Sequence, residues 1–130
     1  AGEEGRALPL YESALADCVR VLGPDHPDTL ASRNNLAGAY QSAGDLGRAV
    51  PLFESALADR VRVLGPDHPA TLASRNNLAC AYQAAGDLGR AVPLYESALA
   101  DRVRVLGPDH PATLASRDNL ACAYQAAGGS

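Results

Sequence analysis

Phe53-Glu54-Ser55-Ala56-Leu57-Ala58-Asp59 occurs three times, changed only at its first ring, which is Tyr11 and Tyr95 in the other copies. Those rings stand at positions 11, 53 and 95, a constant step of 42 residues. His26, His68 and His110 keep the same step, as do Tyr40, Tyr82 and Tyr124. The frame gives units 3–44, 45–86 and 87–128, of which the second and third differ only at Phe53/Tyr95 and Asn76/Asp118. Ala1-Gly2 matches Ala43-Gly44, so the frame predicts a segment of a longer repeat array. A unit this short cannot cover its own apolar side and needs stacked neighbours.

Each unit reads as two helices. The first is predicted from an Asp45 N-cap to Leu64, with an apolar stripe of Leu46, Ala49, Val50, Phe53, Leu57, Val61 and Leu64. Its other side carries Arg48, Glu54, Asp59, Arg60 and Arg62, which read as a solvated surface, with Asp59 and Arg62 paired three apart. Gly65 and Pro66 end that helix, and His68-Pro69 opens the next, which runs to Ala85. Leu72, Leu78, Ala79, Tyr82 and Ala85 form its packing side. Pro51, like Pro9 and Pro93, falls inside a helix and is expected on the solvent side, because a proline removes one N–H from the ladder.

The remaining chemistry is sparse. Net charge is −4, with acids and bases interspersed, so no basic face marks a nucleic-acid partner. All eleven basic residues are Arg; without Lys no phosphate-binding Gly-x-x-x-x-Gly-Lys loop is possible. No apolar run approaches the roughly 20 residues that span a membrane. Cys18, Cys80 and Cys122 are odd in number and lack CxxC spacing. That argues against a disulfide framework and favours a reducing, cytoplasmic setting. Cys80 and Cys122 are repeat-equivalent, on neighbouring helices whose axes should lie about 8–10 Å apart, too far for a bond. Cys18 replaces Arg60 and Arg102 and is expected on the polar face. The three His recur one per unit, too far apart to share a metal, and read as loop hydrogen-bonding groups. No nucleophile, paired carboxylates or cofactor loop suggests an enzyme, and no cofactor is expected.

Leu36-Ala37-x-x-Tyr40, Gly44, Ala49, Phe53 and Ala56 follow the spaced signature of tetratricopeptide repeats. The run Leu-Gly-Pro-Asp-His-Pro with a later Asn-Asn-Leu-Ala resembles the 42-residue variant of kinesin light chains and many bacterial proteins. The ordinary repeat has about 34 residues. The resemblance implies an all-α, right-handed superhelical solenoid of antiparallel helix pairs, here with six helices. It implies a concave face lined by the helix that ends in Ala-Gly, where protein segments bind. The matching positions are Ala31, Asn34, Gly38, Gln41 and Ser42 in the first unit. The second supplies Ala73, Asn76, Cys80, Gln83 and Ala84, and the third Ala115, Asp118, Cys122, Gln125 and Ala126. Some relatives clamp a C-terminal carboxylate there with Lys, Arg and Asn; these positions offer Asn, Gly and Ala, so such binding is not expected.

Two roles follow as expectations. In one, Asn34, Gln41, Asn76, Cys80, Gln83, Asp118, Cys122 and Gln125 hold a peptide or protein ligand, using amides that both donate and accept. Asn35, Asn77 and Asn119 are then expected to bond between helices. In the other, the chain stacks head-to-tail as a homo-oligomer. Leu8, Tyr11 and Leu15 of the N-terminal helix would meet Leu120 and Tyr124 of the C-terminal helix of another copy.

Overall fold

Glycine, proline and histidine set where the helices stop and restart. The computed structural model describes residues 2–128, with side chains from 6 onward. Six helices follow in order: α1 (Gly2–Leu22), α2 (Pro27–Ser42), α3 (Leu46–Leu64), α4 (Pro69–Ala84), α5 (Leu88–Leu106) and α6 (Pro111–Gly128). No strand occurs among the described residues. Gly65 closes α3 with φ of +92°, a region costly to any residue with a Cβ. Proline then opens the next helix at a position whose N–H would have no helical partner anyway. His68 is the N-cap of α4: its Nδ1 accepts from the Ala70 N–H at 3.0 Å. His26 and His110 do the same for Asp28 and Ala112, each at 3.0 Å. The histidines are thus loop hydrogen-bonding groups, doing what Ser or Asp does at ordinary caps.

Asp45 and Asp87 precede α3 and α5, and their carboxylates accept from the Arg48 and Arg90 N–H groups at 3.2 Å. Pro9, Pro51 and Pro93 lie inside their helices and are exposed, on the solvent side.

The chain divides into two compact units, Ala1–Val63 and Leu64–Ser130. In the first, α1 packs on α2, and the Tyr40 hydroxyl donates to Glu12 at 2.7 Å across that contact. Arg33 of α2 reaches Asp59 of α3. In the second, α5 packs on both α4 and α6. Its core joins Ala79 of α4, Ala91 and Tyr95 of α5, and Leu120 and Ala123 of α6. Three of those five are alanines, which let the helices approach closely around a single ring.

The apolar stripe of α3 differs from expectation at its C-terminal end. Ala49, Phe53, Ala56 and Arg60 are buried, whereas Val61 is 40% exposed. Steps of four, three and four keep one phase of the helix, and Arg60 lies on it. The helix therefore turns the guanidinium inward and the valine outward; an arginine's long apolar stem allows this. Arg102 repeats the arrangement in α5, where Val103 is exposed. Its Nη1 donates to the Ala112 carbonyl at 3.1 Å and to Ser116 Oγ at 2.8 Å, tying α5 to α6. Burial lowers the pKa of both arginines. Cys18 takes the same position in α1 and is half-buried, not on the polar face.

In α4 the packing side also takes Thr71, Ser74 and Ala81, while Tyr82 is half-buried and Ala85 exposed. The expected Asp59–Arg62 pair forms at 3.3 Å. Arg62 also holds Asp25 of the α1–α2 loop through two bonds of 2.6 and 3.1 Å. The second unit repeats this: Arg104 meets Asp67 at 2.6 and 3.2 Å and Asp101 at 3.2 Å, and Arg75 completes the row on Asp101.

Candidate functional site

The Ala-Gly-ending helices α2, α4 and α6 carry the positions assigned to a binding wall. In the second unit Asn76 is half-buried, and its Oδ1 is enclosed with no hydrogen-bond partner among the described residues. Asn34 of the first unit keeps its Oδ1 in the same state. An enclosed polar atom without a partner costs of order 1–3 kcal/mol. Cys80 and Gln83 are turned to a different use. The Tyr95 hydroxyl lies 3.0 Å from Cys80 Sγ and 3.1 Å from Gln83 Oε1, so both side chains serve the α4–α5 contact. Burial, and then the bond to Cys80, push the Tyr95 phenol well above its ordinary pKa.

On α6 the equivalent residues Asp118, Cys122 and Gln125 are all exposed, while on α2 Gln41 is half-buried. Asn35 is exposed and Asn77 and Asn119 are half-buried; none of them bonds between helices among the described residues, contrary to expectation. They sit beside the packed stripe, not on it.

The positions assigned to self-association divide similarly. Tyr11 is 39% exposed, although its equivalents Phe53 and Tyr95 are 3% and 2% exposed. Leu8 and Leu15 are half-buried. Tyr124 is 49% exposed, with its hydroxyl on Glu96. Leu120 is a correction: it is 8% exposed and belongs to the core of its own unit, because its helix phase points to α5.

Two further features complete the surface. Arg90 lies over the Tyr82 ring at 5.7 Å, and Arg48 over Tyr40 at 5.8 Å. An open cleft of about 450 Å³ is lined by Leu78, Tyr82, Gly89, Arg90, Pro93 and Leu94, a set without an acid, base or nucleophile pair. Among the described residues no three His, Cys, Asp or Glu side chains converge as metal ligands. None of the described helices is long and apolar enough to cross a membrane. All three cysteines are free.

Sequence reading missed the Tyr95–Cys80 contact, although a signal for it was present. Tyr95 follows a repeat with Cys80, and Phe53 follows one with Gly38. The hydroxyl and the thiol come and go together.

Helix pairs that share their cores and are joined by capped loops define a helical-repeat fold. The chain belongs to the tetratricopeptide repeat family, whose profile matches residues 1–28, 29–70 and 71–112. Repeats of this family generally mediate protein–protein interaction. The chain is similar to the nearly identical TPR-like repeats of a protein from Podosopora anserina described as a kinesin light chain. Identity is 42% and the TM-score 0.88, over 98% of this chain and 60% of that one. A substituted form of that protein aligns at 40% identity and TM-score 0.83, with the same coverage. BtubC (BKLC) from P. vanneervenii aligns at 29% identity and TM-score 0.86, covering 98% of this chain and 51% of that one. The chain thus spans little more than half the length of these proteins. No curated protein sequence matches it.

Proposed function

We propose that the chain is a non-enzymatic interaction scaffold that holds an extended or helical protein segment against the wall carrying Asn76 and Asp118. The observation behind this is the Asn76 side chain. It keeps an enclosed oxygen without a partner, as Asn34 does, a cost with no return inside the fold. The amide nitrogen of the same side chain is left to donate to a ligand main-chain carbonyl. Asp118, exposed on α6, adds a negative charge for a basic ligand side chain. Cys80 and Gln83 contribute less than their positions imply, since Tyr95 uses them. The family and the kinesin-light-chain-like repeats support a binding role. An acidic balance with no lysine disfavours nucleic acid.

The test is selection of random displayed peptides on the immobilised chain, followed by calorimetry with the winning synthetic peptide. Asn76→Ala with Asp118→Ala is expected to weaken binding by about tenfold or more, as for a small set of dominant contacts. Unchanged affinity contradicts the assignment.

A second reading is head-to-tail self-association, favoured by the exposure of Tyr11 where its two equivalents are buried.

A further inference from the structure

In the second unit α5 packs on α4. From Pro111 to Ala127 the sequence repeats Pro69 to Ala85 with a single change, Asp118 for Asn76. From Gly5 to Leu22 it repeats Gly89 to Leu106 with two changes, Leu8 for Val92 and Cys18 for Arg102. Arg102 points to α6, not α4. The α6 and α1 surfaces are therefore near copies of the two sides of α4–α5. Positions that α4–α5 buries are open on them: Ala79 and Ala98 are 0% exposed, whereas Ala121 and Ala14 are exposed.

We infer that a second copy of this chain docks its α1 on α6 in the register α5 takes on α4, with Tyr11 of one copy on Cys122 and Gln125 of the other. The inference rests on the self-association reading and adds its register. Polar groups support it independently of the apolar face. Tyr95 bonds Cys80 and Gln83 inside the chain; Tyr11 and the exposed Cys122 and Gln125 are the same three groups, still apart.

Charge completes the match. Within the second unit Asp67 holds Arg104, Arg104 holds Asp101, and Asp101 holds Arg75. The equivalents on α1 are Arg20 and Asp17, already paired at 3.2 Å, as Arg104 and Asp101 are at 3.2 Å. The equivalents on the other side are Asp109, in the loop before α6, and Arg117, both exposed and without an ion pair among the described residues. One end thus offers a ready arginine–aspartate pair and the other an aspartate and an arginine spaced to meet it. The contact is heterologous, so a docked pair keeps one free head and one free tail.

Sedimentation under reducing conditions tests this with Ala14→Arg, which blocks the head, and Ala121→Arg, which blocks the tail. Both lie on exposed helical positions, and circular dichroism checks that the helices are kept. Wild-type mass is expected to rise with concentration, through the dimer and beyond. Each variant alone is expected to stay monomeric, and an equimolar mixture to form a dimer and nothing larger. Monomeric wild type at millimolar concentration overturns self-association and the register together. Association of either variant alone, or a mixture that stays monomeric beside an associating wild type, overturns the register only.

Discussion

The Tyr95 hydroxyl donates to Cys80 Sγ at 3.0 Å, fixing the ring of α5 against α4. The ring itself is 2% exposed and sits among alanines, so apolar burial and a polar tip act at one point. Tyr95→Phe keeps the ring and is expected to cost about 1 kcal/mol in urea unfolding. Tyr95→Ala, which leaves a cavity, is expected to cost about 3–5 kcal/mol. Equal costs for the two would mean that packing contributes nothing beyond the hydroxyl.

Gly38 occupies the position of Cys80 in an earlier repeat, inside α2. A Cβ built there meets nothing within 4 Å. Glycine in a helix interior costs about 0.8–1.0 kcal/mol relative to alanine. Gly38→Ala is therefore expected to raise stability by about that amount, read as a shift of the urea midpoint with unchanged slope. A loss of stability would show that the space is filled in solution.

Arg102 is 8% exposed and bonds the Ala112 carbonyl and Ser116, with no carboxylate on it among the described residues. A buried charge without a counter-ion gives little net stability, while its stem fills space. Arg102→Met is expected to fall within about 1 kcal/mol of the parent, whereas Arg102→Ala loses the packing and is expected to cost about 2–3 kcal/mol. A methionine variant as unstable as the alanine one would show that the guanidinium bonds dominate.

Acid should loosen the fold through the aspartates of the charge row. The Arg75 guanidinium holds the Asp101 carboxyl below its ordinary 3.8. Arg62 lowers Asp25 and Arg104 lowers Asp67 from the same 3.8. A carboxyl whose folded pKa is depressed stabilises the fold above its unfolded pKa and stops doing so as pH falls through the folded one. Unfolding midpoints are thus expected to hold above pH 3.8 and to fall below it, less steeply in Asp101→Asn. The exposed Asp25 and Asp67 pairs are screened, so salt should blunt part of the effect. An acid slope unchanged in Asp101→Asn would remove this residue from the account.

Much of the fold was legible because local rules and the 42-residue step agree. Gly65, Pro69 and the Asp45 cap mark helix ends by local chemistry alone, and Phe53 and Ala49 mark the packed side. Arg60 was not legible as a buried residue. Hydropathy assigns it outward, and only the phase set by Phe53 and Ala56 turns it in. The same limit applied to Leu120, whose side of α6 depends on which neighbour is present. At the candidate site, Asn76 and Asp118 were assigned from the family resemblance. The diversion of Cys80 and Gln83 to Tyr95 needed the geometry of two helices at once.

Backbone amide NMR of the chain, titrated with a display-selected peptide, locates the bound segment on the helices. Shifts are expected to gather on α4 and α6 around Asn76 and Asp118 and to be lost in the Asn76→Ala/Asp118→Ala variant. Shifts gathered instead on the exposed side of α5 around Pro93 and Val103, persisting in that variant, would contradict that placement.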